Sequence, residues 1–173
     1  MEPVLEILKY VLPSLIVFAT TVYLVKKYFD GEEKKRQQQT VLNNQNMITP
    51  LRLQAYERAI LFLERISPEN LIMRVNKPGL TCQQLQSELL HTIRSEFEHN
   101  LSQQIYMSPQ AWEVVRNARS NTIKLINSEF EKMPENASGM DFSRQLLSAV
   151  MELEKEPTRV ALDFVKAEVA RML

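Results

Sequence analysis

Hydrophobic and polar positions divide this chain into an apolar N-terminal stretch and a longer part with helical periodicity. Residues 7–25 read ILKYVLPSLIVFATTVYLV, 19 residues in which Lys9 is the single charge. At about 1.5 Å per residue, such a helix is roughly as long as the hydrocarbon core of a bilayer is thick. The pattern predicts one transmembrane helix over residues 7–25, within an anchor over residues 1–29.

A cleaved signal peptide and a buried core helix are the alternatives for this stretch. A signal peptide begins with positive charge and ends at small residues, whereas this chain begins Met1-Glu2-Pro3 and follows the apolar run with Lys26-Lys27. A core helix would carry a polar face, which the run lacks. We therefore favour the membrane anchor. After it, residues 30–48 mix charges with a Gln/Asn-rich run and predict a charged juxtamembrane segment and tether.

From Thr49 onward, apolar residues recur at steps of three and four, which is typical of amphipathic helices. Four places have the residues typical of a helix start: Thr49-Pro50, Ser67-Pro68, Thr81 with Gln84, and Ser108-Pro109. The pattern predicts an all-α fold in which residues 49–173 form a cytoplasmic bundle of four longer helices plus a short one. We expect these side chains to face its core: Leu53, Tyr56, Ile60, Leu63, Ile66, Leu85, Leu89, Ile93, Phe97, Leu101, Ile105, Trp112, Val115, Ile123, Ile126, Phe130, Met133, Phe142, Leu146, Val150, Leu153, Ala161, Val165, Val169 and Met172.

The distribution of charged residues predicts the orientation of the chain in the membrane and argues against a nucleic-acid partner. Five Lys or Arg residues lie in residues 26–36, and Lys9 is the only one before them, so the positive-inside rule predicts an outside N-terminus and a cytoplasmic C-terminal part. The whole chain has 21 basic and 21 acidic residues. Residues 49–173 hold 15 of the basic and 16 of the acidic ones, a net charge of −1, which disfavours a nucleic-acid partner. The lone Cys82 excludes an intrachain disulfide, and we expect it to be a small buried side chain rather than a nucleophile.

Two E-x-x-H sequences are the sharpest candidates for metal chemistry. Glu88 with His91 and Glu96 with His99 have the spacing that di-iron bundles use. Such bundles need the two motifs on different helices, and here both fall on one, so we predict neither a metal nor another cofactor. A charge link from Arg52 or Arg58 to the Glu96 segment is our expectation for helix docking. The candidate interaction or structural polar cluster comprises Arg52, Tyr56, Glu57, Arg58, Glu96, Glu98, His99, Asn100, Gln103 and Gln104.

Two parts of the sequence resemble a known family. They are the run from Pro50 to Arg58 with Leu61-Phe62-Leu63-Glu64-Arg65, and Glu96-Phe97-Glu98-His99-Asn100 followed by Gln103, Gln104, Tyr106 and Ser108. The chain resembles a family of uncharacterised membrane-anchored bacterial proteins found mainly among Bacteroidetes. The resemblance covers the anchor and continues to about Met133, and it implies the same anchor-plus-helices layout but assigns no activity and no catalytic residue. The anchor and its flanking charges themselves predict an inner-membrane location.

The sequence as a whole predicts a protein that acts by contact and not by catalysis. Its expected partners are the lipid bilayer, through residues 7–25, and other membrane or cytoplasmic proteins, with a second copy of the chain as a further candidate. Leftover apolar positions that could seat a partner are Leu61, Phe62, Leu90 and Leu147. The alternative function is a ligand- or metal-binding bundle, a sensor or an enzyme, that uses the polar face of Glu96, His99 and Asn100.

Overall fold

The computed structural model describes residues 15, 17, 18, 20–28 and 48–172. Ten of the nineteen residues of the predicted span over residues 7–25, and all of the predicted tether over residues 30–48 except residue 48, therefore lie outside the described residues. Contacts divide the chain into two units, residues 1–49 and residues 50–173. In the first unit, residues 20–28 are helical. Among the described residues, no helix is both long enough and apolar enough to be a bilayer span.

The second unit is built from helices, as the periodicity predicted. Helix α1 covers residues 48–66, and α2 is the short helix Pro68–Val75. Helix α3 is Cys82–Asn100, and it continues into a 3-10 helix, Leu101–Ile105. The remaining helices are α4 (Pro109–Glu131), α5 (Gly139–Glu152) and α6 (Pro157–Met172). Residues 48–172 thus contain five longer helices and the short α2, so the predicted number of four longer helices is wrong. The separation of the last two helices near Pro157 was itself predicted, and the chain leaves helical geometry there at residues 153–156.

Three of the four predicted helix starts have the expected form. Thr81 and Gln84 make a reciprocal capping box at α3, and the Ser108 hydroxyl accepts from the Ala111 amide at α4. Ser67 precedes Pro68 at the start of α2. The predicted N-cap at Thr49 is wrong, because Ile48 and Thr49 are themselves helical. Proline has a φ in the helical range, so Pro50 removes one amide donor without imposing a helix start.

The core lies between the six α-helices, with the short α2 adding Leu71 and Ile72, and most predicted inward positions reach it. Tyr56, Leu63, Leu85, Ile93 and Leu146 are among its fully buried side chains. The apolar positions Leu53, Leu101, Ile105 and Leu153 are exposed, which corrects their predicted burial. An i+4 stripe drifts by about 40° per step on a helix of 3.6 residues per turn, so the stripe begun at Leu85 has left the core face by Leu101. Leu53 and Leu153 lie near the ends of α1 and α5, where the core gives them less cover.

Two helix N-termini meet at one end of the unit. The amide of Gly139, at the start of α5, donates to the carbonyl of Leu80 at 2.9 Å, and the amide of Cys82 donates to the carbonyl of Ala137 at 3.1 Å. This pair of bonds is an isolated antiparallel bridge between Thr81 and Ser138, the N-cap residues of α3 and α5. Gly79, in the turn before α3, has a φ of +89°, a backbone conformation that favours glycine.

Candidate functional site

The predicted polar cluster lies along the α1–α3 contact. The two helices run antiparallel, since the Phe62 and Phe97 ring centroids are 5.7 Å apart while Tyr56, one and a half turns earlier in α1, reaches Ser108 after α3. The amphipathic pattern of α1 explains this placement, because Tyr56 and Phe62 lie on its buried face. Phe62 is therefore a core residue and not the exposed partner-binding position that the sequence predicted. Of the other three predicted positions, Leu61 is exposed, and Leu90 and Leu147 pack partly buried against the core.

Tyr56 is the most connected member of the cluster. Its side chain is fully buried, its hydroxyl donates to Glu168 Oε1 at 2.9 Å, and the same oxygen accepts from the Ser108 amide at 3.0 Å. One phenol thereby joins α1, the start of α4 and the last helix, α6. The other Glu168 oxygen, Oε2, is buried and has no hydrogen-bond partner among the residues that the structure describes.

Glu96 forms ion pairs that join three helices. Its carboxylate accepts from Arg65 of α1 at 3.0 Å and from Arg74 of α2 at 3.2 Å. The sequence correctly placed an arginine–glutamate link between α1 and α3 but assigned it to Arg52 or Arg58. Arg58 is exposed and lies about two turns from Arg65, away from the level of Glu96, so that assignment is corrected.

The remaining cluster members make local contacts or face solvent. His99 Nδ1 lies 2.7 Å from the Ser95 carbonyl oxygen, and Asn100 donates to the Glu96 carbonyl at 2.8 Å, both within α3. Gln103 contacts its neighbour Ser102 at 3.4 Å. Arg52 is half-buried, and four members are exposed: Glu57, Arg58, Glu98 and Gln104. The structure therefore brings Tyr56, Glu96 and Asn100 into the helix contacts and leaves a polar outer surface beside them.

The arrangement does not assemble a metal centre among the described residues, where no three His, Cys, Asp or Glu side chains converge. In the E-x-x-H pair Glu96–His99, the carboxylate is held by two arginines and one ring nitrogen by a backbone oxygen. In the other pair, both Glu88 and His91 are exposed. The chemistry of this region is that of ion pairing and helix positioning.

A second polar link was missed by the sequence analysis. Glu129 of α4 is 3 % exposed and bonds Lys132 at 2.6 Å and Gln145 of α5 at 2.8 Å. Burial raises the pKa of this carboxyl, but the hydrogen bonds from Lys132 and Gln145 and the charge of Lys132 outweigh burial, so the pKa is lowered. The signal was present, since residue 129 continues the inward series 115, 118, 122 and 126 at steps of three and four. Glu168 likewise follows the buried residues Ala161 and Val165 on α6.

Arg119 was also missed. Its guanidinium carbon lies 4.2 Å from the centre of the Phe97 ring, and that ring stacks on Trp112 with centroids 5.5 Å apart. A cation on an aromatic face contributes about 0.5–2 kcal/mol. The stack joins α3 to α4, and Phe97 also contacts Phe62 of α1. Aromatic contacts thus join these three helices next to the polar contacts of Tyr56 and Glu96.

The outer surface of α6 carries two open cavities. One, of about 500 Å³, is lined by residues of the α5–α6 connection and α6, including Glu156, Arg159 and Asp163. The other, of about 340 Å³, lies between α4 and α6. Lys155 and Val160 line both, so the cavities adjoin. They are shallow and mixed in charge, and they lie apart from the Glu96 ion pairs.

Cys82 has the buried position that the sequence predicted. Its side chain is buried at the start of α3, and burial raises the pKa of the thiol. A raised pKa keeps the thiol protonated at neutral pH, which disfavours a nucleophilic role.

Comparison with known proteins gives a family and no assigned chemistry. No curated protein matches the chain, and no solved structure does. A family model described as a family of unknown function, DUF7935, matches residues 2–172, from the apolar N-terminal stretch to the end of α6. The chain is thus a member of the family of unknown function DUF7935.

Proposed function

We propose that this protein is a single-pass membrane subunit that holds a helical unit at the cytoplasmic face of the inner membrane and acts there through protein–protein contact, without catalysis. The observation that carries the proposal is the run over residues 7–25, with one charge in 19 residues and five basic residues just after it. Its length matches a bilayer, and its flanks favour an outside N-terminus.

The described part of the run has side chains suited to lipid. Leu15, Val17, Phe18 and Leu24 are all exposed, which is the state expected of side chains that meet acyl chains. The hydroxyls of Thr20 and Thr21 both donate to the Val17 carbonyl, at 2.9 Å and 2.7 Å. Such internal bonds satisfy polar groups that would otherwise be costly in hydrocarbon.

The polar side chains of the helical unit mainly join its helices to one another, which is consistent with a protein that acts by contact. Tyr56, Glu96 and Glu129 each join separate helices, so these groups stabilise a rigid body. The outer surface of α6 offers a face for a partner, because Val160 and Phe164 lie one turn apart and are both exposed beside the two adjoining cavities.

The alternative, a ligand or metal site on the face of Glu96, His99 and Asn100, has less support. Each of these side chains already has a partner inside the unit. A ligand there would have to displace two partly exposed arginines from Glu96, and each such ion pair contributes up to about 1 kcal/mol.

Photo-crosslinking in native membranes tests the contact function. A photoreactive residue at position 164 should give a specific cross-linked protein, whereas the same residue at Lys124, exposed on α4, should not. The anchor is tested on the same membranes: the full chain should resist carbonate extraction, and a variant lacking residues 7–25 should be released. Release of the full chain, or identical cross-linking at both positions, contradicts the proposal.

A further inference from the structure

We infer that one end of the helical unit rests on the lipid surface of the membrane that anchors the chain. This end, which we call the Tyr106 end, carries the exposed side chains of Leu51, Leu53, Leu101, Ile105 and Tyr106. The inference rests on the proposed membrane anchor and adds a lipid-contacting face to the helical unit.

The five side chains share one end because α1 and α3 are antiparallel. The Tyr56 hydroxyl lies 3.0 Å from the Ser108 amide, which fixes the first turns of α1 beside the segment that follows α3. Leu53 precedes Tyr56 by three residues, or about 4.5 Å of helix rise. Tyr106 precedes Ser108 by two residues, so both chain segments reach the same end.

This end exposes a group of large apolar side chains. Ile105 is 75 % exposed, and the other four side chains are between 38 % and 44 % exposed. No residue of the 3-10 helix Leu101–Ile105 is buried. The drift of the i+4 stripe carries it off the core face after Phe97, and the 3-10 helix that follows contains no buried residue.

Few charged side chains lie in the two segments that form this end, so contact with lipid would desolvate little charge. Residues 100–112 contain no charged side chain, and residues 48–56 contain one, Arg52. From α6, Glu168 also reaches this end, where its carboxylate accepts the Tyr56 hydroxyl. Exposed apolar groups, a tyrosine and a cation are the side chains that favour the membrane interface.

The course of the chain supplies the reason for choosing lipid over another partner. The unit begins at Pro50, two residues after the first described residue of α1, and the sequence that precedes it leads back to the apolar run over residues 7–25. The covalent connection therefore joins the unit at the Tyr106 end. No other end of the unit is so directly tethered.

Site-directed fluorescence on the full chain tests the inference. The chain is placed in vesicles of phosphatidylethanolamine and phosphatidylglycerol, in a Cys82→Ala background that removes the single native thiol. An environment-sensitive probe is attached at Ile105→Cys or, as the control, at Met140→Cys, an exposed position at the opposite end beside the Leu80–Gly139 contact. We expect a blue-shifted emission at position 105 that nitroxide-labelled lipids quench, and neither effect at position 140.

Each outcome separates this inference from the proposed anchor. If the chain floats with the vesicles and the probe at position 105 reports water, the anchor stands and the lipid-contacting face is wrong. If the chain does not float, both proposals fail. A blue shift that lipid nitroxides do not quench, with cross-linking between two copies at position 105, assigns the face to a second chain and overturns the inference.

Discussion

The amide nitrogen of Gly139 lies 2.9 Å from the carbonyl oxygen of Leu80, and a Cβ added to Gly139 would lie at the same 2.9 Å from that oxygen. The two backbones thus approach as closely as a hydrogen bond allows, at the point where α3 and α5 begin side by side. This approach is why glycine opens α5 directly after its N-cap Ser138.

Gly139→Ala should destabilise the helical unit. Alanine gains about 0.5–1 kcal/mol over glycine inside a helix, but the clash with a backbone oxygen costs about 1–3 kcal/mol. We expect a net loss in urea unfolding of the full chain in mild detergent, followed by circular dichroism. Gly79→Asn is the control, because residue 79 has open space and asparagine tolerates its positive φ. Equal stability of wild type and Gly139→Ala would show that the backbones separate freely.

Tyr56→Phe should cost about 1–3 kcal/mol of unfolding free energy. The change removes two hydrogen bonds of a fully buried hydroxyl and leaves the Ser108 amide without that acceptor. Tyr106→Phe removes the same group from an exposed ring and should change stability by less than about 0.5 kcal/mol. The measurement is the urea midpoint of each variant. Equal midpoints for the two variants would show that the hydrogen bonds of the Tyr56 hydroxyl do not stabilise the unit.

The Glu129 carboxylate should stabilise the unit at neutral pH and lose this effect in acid. Its pKa is lowered in the folded state by Lys132 and Gln145 despite burial, so the folded protein binds the proton less readily than the unfolded chain. The contribution is therefore complete above the unfolded pKa, about 4.3, and disappears as the pH falls through the lower folded value.

Glu129→Gln tests that pH dependence. The variant should be less stable than wild type at pH 7, and the difference should shrink as the pH falls below about 4. Thermal unfolding across this range, with Glu131→Gln as the exposed control on the same helix, gives the comparison. A difference that stays constant with pH would mean that the carboxylate charge plays no part.

Cys82 should react slowly with thiol reagents in the folded protein. Its side chain is buried and its thiol pKa is raised by burial, so both access and thiolate content are low. Reaction should become fast in urea, at a rate that follows unfolding. Met151→Cys places a second thiol on an exposed site and should react at once in the same protein. Rapid labelling of Cys82 in the native state would contradict its burial.

The helices were predictable because their signals are local. The Thr81–Gln84 capping box, the Ser108-Pro109 start and the stripe from Leu85 to Phe97 depend on residues a few positions apart. The prediction that Leu101 and Ile105 lie in the core followed a strict i+4 stripe without its drift around the helix, and the sequence also showed no sign of the change to a 3-10 helix after Asn100. That change depends on how the chain turns toward Ser108 and Tyr56.

The partners of polar side chains were not predictable in the same way. Glu96 was identified, but its arginines come from residues 65 and 74, 31 and 22 positions away. Helices α1 and α2 carry several arginines that the sequence alone cannot rank as partners of Glu96. Which of them reaches Glu96 depends on how the helices are aligned along their length when they pack. Glu129 and Glu168 could have been found as acids on inward stripes, but Gln145 and Tyr56 are partners that packing alone supplies.

The exposed connection between α5 and α6 is a place where the polypeptide can be cut without removing the contacts that hold the last helix. Residues 151–155 are exposed, and α6 is held from the side by α4 and by the Tyr56–Glu168 bond. A break in the polypeptide at residues 153–155 would leave those lateral contacts in place. If this protein is produced as two fragments, one ending before this connection and one beginning after it, the fragments should therefore associate without a covalent link. We expect α6 to pack against α4 again.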